Sequence, residues 1–183
     1  MNITELSRKA YQSAKSRGLY DKEQPLEHYL MLVIDEISEC HKASLEGREA
    51  DIKHFNHYTQ RLDALNEIHT GWWVFHFERC IKNSTPDELA DICIMCFSVL
   101  GWKTENISTF EAEIVERNFT SAVRIASGSF QAIPDLLTSL SFRAAIGEIE
   151  YVLAYTMQYC KANNIDLDWH VEQKMKYNEL RER

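Results

Sequence analysis

The chain has 183 residues and a mass of 21.4 kDa, which suits one domain with a substantial buried core. Its net charge of −8 argues against a binder of duplex nucleic acid, because that function needs a basic face. No apolar run approaches the ~20 residues of a membrane span. The charged N-terminal segment lacks the apolar stretch that is typical of a signal peptide. We therefore expect a cytoplasmic protein that does not enter a membrane.

The scarcity of glycine and proline in the chain predicts an all-α fold. Only 6 glycines and 3 prolines interrupt long stretches of helix-forming residues. The predicted helices span residues 3–17, 25–46, 75–82, 85–100, 107–119, 134–161 and 169–181, with a loop at 126–131. We expect Gly101 to stop the fourth helix, Thr85 to cap its start and Asp168 to cap the last helix.

The five cysteines indicate reduced thiols. Their number is odd and their spacing is scattered, which does not suit a disulfide framework. Cys93 and Cys96 have the spacing of half a zinc or redox site, but they fall within an apolar helical stripe. We interpret them as buried packing residues.

Two carboxylate pairs carry the strongest chemical signal. Glu36 and Glu39 form one pair, Glu88 and Asp91 form the other, and each pair is set into an apolar segment. Residues three apart lie on one face of a helix, so each pair presents two carboxylates side by side. If the two helices pack together, four acids converge, and hard divalent cations such as Mg²⁺ favour such oxygen ligands. Glu88 alone also fits a capping box with Thr85, whereas Asp91 has no such explanation.

A basic face on the last predicted helix complements the acids. Lys174, Asn178 and Arg181 are spaced i, i+4 and i+7, which places them on one side of the helix. An ammonium, an amide and a guanidinium together can hold a polyphosphate and the sugar or base beyond it. A charged helix of this kind is also common as a plain solvated surface.

These three patterns, in this order, resemble the MazG-like superfamily of all-α nucleoside triphosphate pyrophosphohydrolases, which includes the dimeric dUTPases and the dCTP pyrophosphatases. The segments DEISECHKA, DELADICIMCFSVLG and KMKYNELRE are similar to the family's two acidic helices and its C-terminal segment. KSRGLYDK is similar to a lead-in found in some members. The stretch between Glu39 and Glu88 is longer than in compact members, so residues 48–84 are interpreted as an insertion, and about 120–160 as an elaboration.

The resemblance implies a four-helix-bundle core with additional helices within a single domain over 1–183, and assembly into a homodimer or homotetramer. It implies hydrolysis of a nucleoside triphosphate, most plausibly a dNTP, to the monophosphate and pyrophosphate. Mg²⁺, or Mn²⁺ as a substitute, would be the cofactor. By motif position, the metal ligands would be Glu36, Glu39, Glu88 and Asp91.

The remaining implied roles concern the proton and the substrate. Glu36 or Glu39 would accept the proton of the attacking water. Lys174 and Arg181 would neutralise the phosphates, with Lys82 as a further phosphate contact. Asn178 would contact the nucleoside.

Other readings of the sequence compete with this one. A di-iron carboxylate bundle needs a glutamate three positions before a histidine, and none of the seven histidines has one. An HD-type phosphohydrolase needs a His-Asp dipeptide, and the sequence contains none. His54 and His57 are interpreted as surface residues. Trp72 and Trp73 could stack on a base, but core packing is expected for each. A helical protein that binds a nucleotide or a partner without turnover remains the alternative from another functional class.

Overall fold

The helix that begins at Thr85 is apolar on nearly every face, and it lies at the centre of the molecule. The computed structural model describes residues 3–64, 70–105, 117, 119–124, 126 and 132–181. Every regular element in these ranges is a helix, which confirms the predicted all-α class for this part of the chain. The expected helix at 107–119 and the loop at 126–131 lie almost entirely outside the described residues.

Eight helices are named here in chain order. They are α1 (Ile3–Ser16), α2 (Leu26–Leu45), α3 (Ile52–Ala64), α4 (Thr70–Cys80), α5 (Thr85–Glu105), α6 (Ile133–Ala145), α7 (Ile149–Ala162) and α8 (Leu167–Leu180). Residues 119–124 are also helical. None of the helices in the described ranges is both long and apolar enough to cross a bilayer.

The main core surrounds α5, which packs against α1, α2, α7 and α8. α6 extends this core by packing against α2 and α7. Leu89, Phe97 and Leu100 of α5 have no solvent-exposed surface. The predicted packing of Cys93 and Cys96 is confirmed, since both are free thiols that are fully buried in this core. Burial of apolar surface on all sides fixes α5 as the scaffold for whatever polar side chains it carries.

The segment 48–84, interpreted from the sequence as an insertion, has a small core of its own in its described part. Its two ends are joined by backbone hydrogen bonds: the N–H of Thr85 donates to the carbonyl of Arg48 (2.9 Å), and the N–H of Asp51 donates to the carbonyl of Cys80 (2.8 Å). Between these ends α3 and α4 pack together, and α4 also contacts α8. The core of this unit, called the aromatic core below, consists of Phe55, Trp73, Phe77, Ile81 and Tyr177.

Of the two adjacent tryptophans that were expected to pack in the core, one does and the other does not. Trp73 is buried in the aromatic core, as expected, but core packing is wrong for Trp72, which is 57% exposed. Adjacent helical positions point in different directions, so α4 buries one ring and leaves the other in solvent. Trp102 and Trp169 are partly buried against the main core and the aromatic core respectively.

Gly101 does not stop α5, which continues to Glu105. Its lack of a side chain serves packing instead. A Cβ atom at this position would lie 2.2 Å from the carbonyl oxygen of Ser7 in α1. The glycine therefore permits a backbone-to-backbone approach of α1 and α5 that no other residue allows.

Three other predicted boundaries are wrong. The single helix expected at 134–161 is two helices, because Gly147 adopts φ +78° and reverses the chain. The last helix is capped by Asp166, whose Oδ1 accepts the N–H of Trp169 (3.1 Å), and not by Asp168. α5 is capped by the hydroxyl of Ser84, which accepts the N–H of Asp87 (3.4 Å), so the cap lies one residue before Thr85.

Substitution of Gly101 by alanine is expected to lower the free energy of unfolding by about 1–3 kcal/mol, because the new methyl group overlaps the backbone of α1. Gly71→Ala in α4 is the matched control, since its Cβ position has no described atom within 4 Å apart from its chain neighbours and the nearby backbone of its own helix. That control should be neutral or stabilising by up to about 1 kcal/mol. Urea denaturation of both variants checks this, and equal stability would contradict the close approach.

Candidate functional site

One cavity of about 240 Å³ brings together the acidic and basic residues that the sequence singled out. It is enclosed by α1, α2, α5, α8 and the turn after α4. All eight predicted site residues line it: Glu36, Glu39, Lys82, Glu88, Asp91, Lys174, Asn178 and Arg181. Arg17, just after α1, and Asn83 line it as well. Residues from four separate parts of the chain therefore meet at one place, although their chemical roles stay predictions.

Three of the carboxylates form a cluster at the inner wall. Glu36 of α2 and Glu88 and Asp91 of α5 each offer an oxygen atom that lies within 4.8 Å of the others. Glu88 is buried, and Glu36 and Asp91 are half-buried. Glu39 lines the same cavity but is exposed and stands outside this cluster. The structure thus separates the predicted set of four acids into three clustered acids and one at the solvent side.

The pKa values of the clustered acids reflect their surroundings. Burial, followed by the charges of Asp91 and Glu39, raises the pKa of Glu36 to about 8. Burial and the charge of Asp91 raise the pKa of Glu88 to about 7. Burial also raises the pKa of Asp91 to about 6, although the neighbouring Lys174 acts in the opposite direction. Each group is therefore harder to ionise than in water, and a cation among them would reverse that effect.

Lys174 supplies the positive charge that the cluster contains. It is 6% exposed, its Nζ donates to Oδ2 of Asp87 at 2.8 Å, and it also pairs with Oδ2 of Asp91. Burial alone would lower the pKa of this ammonium, but Asp91 and Asp87 raise it above its ordinary value. Lys174 thus stays charged and contacts two carboxylates in the protein alone. From the sequence we expected it to contact the phosphates of a substrate.

Asp87 is a residue of this site that the sequence interpretation missed. It is fully buried, and besides Lys174 its Oδ2 accepts the N–H of Asn83 at 2.9 Å. Asp91 lies four positions after Asp87, which is the spacing of neighbours on one helix face. That spacing was a usable signal, but an acid in the first turn of a helix has an ordinary explanation in the helix dipole.

Two further cations are arranged around the ring of Tyr177. Lys82 and Arg181 lie over this ring at 5.4 Å from its centroid. The Tyr177 hydroxyl donates to Oε1 of Glu78 in α4 (2.7 Å), and Lys82 pairs with the same carboxylate at 3.6 Å. The aromatic core therefore supports the basic wall of the cavity, because Tyr177 stacks on Phe77 inside it.

The donor set fits a hard divalent cation. The three clustered carboxylates of Glu36, Glu88 and Asp91 lie beside Lys174, whose charge is also shared with Asp87 outside the cavity, so negative charge is in excess when all four acids are ionised. Oε2 of Glu88 and Oδ1 of Asn178 are buried acceptors on the cavity wall that have no hydrogen-bond partner among the described residues. Buried acceptors without partners are costly, and Mg²⁺ or Mn²⁺ takes carboxylate and amide oxygens.

Removal of one clustered acid is expected to weaken Mn²⁺ binding roughly ten- to a hundredfold. The variants are Glu36→Gln, Glu88→Gln and Asp91→Asn, and the measurement is titration calorimetry or Mn²⁺ electron paramagnetic resonance without nucleotide. Glu39→Gln is the matched control and should have a smaller effect, because Glu39 is exposed and outside the cluster. Equal losses for all four variants would show that the cluster of three is not the metal site.

Metal-free protein is expected to lose stability as the pH rises from 6.5 to 8. Glu36 and Glu88 bind protons in the folded state up to about pH 8 and about pH 7, whereas the unfolded chain has released them above about pH 4.5. Their contribution to the free energy of unfolding is therefore fully present below about pH 4.5, decreases as the pH rises, and is gone above about pH 8, so part of the loss falls between pH 6.5 and 8. Burial lowers the pKa of His170 to about 4, so His170 reduces the stability of the protein only when the pH falls below about 6.5. It therefore does not contribute to the slope between pH 6.5 and 8.

Thermal unfolding in EDTA measures this slope. Glu36→Gln should flatten it, and saturating Mg²⁺ should restore stability at pH 8. A wild-type melting temperature that increases from pH 6.5 to 8 in EDTA would contradict the assigned protonation.

The chain matches no protein-family model, no curated protein and no solved structure. Its function therefore has to be inferred from the side chains of the cavity.

Proposed function

We propose that the protein is a Mg²⁺-dependent hydrolase that converts a nucleoside triphosphate, with a dNTP as the expected substrate, to the monophosphate and pyrophosphate. The observation that carries this proposal is the composition of the cavity described above, where acids and cations meet. Clustered carboxylates at its inner wall suit a divalent cation, and Arg17, Lys82 and Arg181 on the same cavity suit a polyphosphate. A triphosphate with a bound divalent cation is a ligand that fits both groups, because carboxylates bind the cation and basic side chains bind the phosphate oxygens.

Glu36, Glu88 and Asp91 would hold the metal, with Glu39 available at the exposed side. The ion would supply charge that polarises the phosphate oxygens and makes a water molecule more acidic. The protein contributes the fixed positions of these acids on α2 and α5, which the main core holds in place. Preorganised charge of this kind is the largest contribution that a protein makes to phosphoryl transfer.

The reaction itself is the addition of one water molecule across the anhydride. The water oxygen bonds to the α-phosphorus, the bond from that phosphorus to the bridging oxygen breaks, and pyrophosphate leaves with that oxygen. A carboxylate accepts the proton that the water loses. Glu39 and Glu36 are the candidates, and Glu39 has the better access to bulk water because it is exposed.

The cations would hold the leaving group. Lys82 and Arg181 are both supported by Tyr177, so their charges are kept together at one side of the cavity. Arginine binds phosphate oxygens in pairs, and lysine acts as a point charge. Asn178, with a free buried carbonyl oxygen among the described residues, would accept a hydrogen bond from the sugar or base.

Binding without turnover is the second candidate function. Its supporting observation is the contact between Lys174 and Asp91, because an ammonium already neutralises part of the acidic cluster. A protein that uses Lys174 in place of a metal would bind a nucleotide and leave the anhydride intact. Stabilisation by nucleotide without release of pyrophosphate would support this second function.

The deciding experiment measures pyrophosphate and monophosphate release from a panel of canonical and modified NTPs and dNTPs, with Mg²⁺ and with EDTA. Asp91→Asn should reduce the rate at least about a hundredfold, because it removes one of the clustered acids from the reaction centre. Glu39→Gln should reduce it as well, if Glu39 accepts the proton.

Glu172→Gln is the matched control for this assay. Glu172 is an exposed acid on α8 that does not line the cavity, so its rate should equal that of the wild type. Release of orthophosphate in place of pyrophosphate, or release that continues in EDTA, would overturn the proposed reaction.

A further inference from the structure

Lys174 is shared between two carboxylates whose surroundings differ. Its Nζ contacts Oδ2 of Asp87 and Oδ2 of Asp91, and the side chains of Lys174, Asp87 and Asp91 are 8%, 1% and 17% exposed. A buried ammonium needs partners of this kind, since an unpaired charge in the interior is strongly destabilising. Two acids on one helix thus hold one cation from the neighbouring helix.

Asp87 is the fixed partner. It does not line the cavity and does not belong to the cluster of three carboxylates. The same oxygen that contacts Lys174 also accepts the N–H of Asn83, whose backbone adopts the left-handed conformation with φ +61°. A non-glycine residue in that conformation marks a turn whose geometry the surrounding structure determines. Asp87 is therefore held from two sides.

Asp91 is the exchangeable partner. It lines the cavity and offers one of the three oxygens of the cluster. A divalent cation that binds there competes with Lys174 for Asp91 but leaves Asp87 untouched. An ammonium has three donors on a flexible stem, so Lys174 can keep its bond to Asp87 while another donor turns toward the cavity.

We propose that Asp87 is a positioning residue that anchors Lys174, so that Lys174 exchanges Asp91 for a phosphate oxygen of the substrate when a divalent cation occupies the cluster. The proposal rests on the proposed function, because it assigns Lys174 a phosphate as its second partner. It also joins the two observations on Lys174: the ammonium pairs with acids in the protein alone, and it lies on the cavity that would hold the phosphates.

The exchange makes a prediction about metal binding without nucleotide. Lys174→Met removes the competitor at Asp91, so Mn²⁺ affinity should increase by about three- to tenfold. Lys82→Met is the matched control: it removes one positive charge from the same cavity, but Lys82 pairs with Glu78 and not with the cluster. Its effect on Mn²⁺ affinity should stay below about twofold. An equal increase in Mn²⁺ affinity in both variants would show that only the net charge of the cavity matters, and it would overturn the exchange.

The anchoring role is tested with inorganic tripolyphosphate as the probe, in the presence of saturating Mn²⁺. Asp87→Asn keeps an acceptor for the N–H of Asn83 but removes the ion pair, and it should weaken tripolyphosphate binding about tenfold. In the double variant D87N/K174M the further loss should stay below about twofold, because an unanchored lysine contributes little. A further tenfold loss would show that Lys174 acts without Asp87 and would overturn the positioning role.

These variants remain interpretable if Lys174→Met fails to fold. Asp87→Asn leaves Lys174 paired with Asp91, and the double variant removes both charges of the pair, so neither creates an isolated buried charge. Their Mn²⁺ affinities then serve as the second measurement. Adding Lys174→Met to Asp87→Asn should raise Mn²⁺ affinity, and no change would overturn the exchange.

The two proposals fail in different ways. Pyrophosphate release is measured on the same proteins with the best nucleotide of the panel. Weak tripolyphosphate binding by Asp87→Asn without any nucleotide hydrolysis by the wild type would retain the anchoring role and overturn the enzymatic function. Hydrolysis by a wild-type protein that binds tripolyphosphate no more tightly than Asp87→Asn does would retain the function and overturn the anchoring role.

Discussion

The burial of acidic charge on the most apolar helix is the constraint on which this structure depends. α5 carries Asp87, Glu88 and Asp91 on a helix that is otherwise enclosed by other helices. Carboxylates in such a place are stable only with a positive partner or with protons. Lys174 is the partner that the chain provides, so α8 has to pack beside α5 with its basic face inward. α2 then adds Glu36 to the same point, and the resulting surplus of negative charge creates a demand for a further cation.

The acid pairs were the part of the site that the sequence could predict. Their i, i+3 spacing places both members on one face, and their position along an apolar stripe indicates that this face is turned inward. Lys174, Asn178 and Arg181 followed from the same periodicity. Local spacing is sufficient for such statements because it depends on helix geometry alone.

The remainder depended on tertiary packing, which local patterns do not contain. Asp87 resembles an ordinary first-turn acid until Lys174 is placed next to it. Gly101 resembles a helix terminator, but a side chain is excluded at this position because the carbonyl of Ser7 on another helix lies too close. Gly147 was a usable signal, because glycine with a positive φ is common where helices end, but the helix formers around it were given more weight. The errors at Asp87 and Gly101 are local preferences that a long-range contact overrides.

The segment 48–84 contributes to the site although it has a separate small core. Its two ends are hydrogen bonded to each other, so it extends from the main bundle as a closed unit. It nevertheless contributes Lys82 and Asn83 to the cavity and supports Tyr177 from behind. A segment with its own core thus shapes one wall of the cavity.

α8 has one face in each of the two cores, and this has a consequence for local unfolding. Val171 is buried in the main core and Tyr177 in the aromatic core. If α3 and α4 detach from the bundle, the aromatic ring that supports Lys82 and Arg181 is exposed to water, and the helix that carries Lys174 loses its packing against α4. Amide hydrogens in the last two turns of α8 should therefore exchange with solvent through the same opening events as those of α4. The cavity's basic wall lasts only as long as this smaller core stays closed.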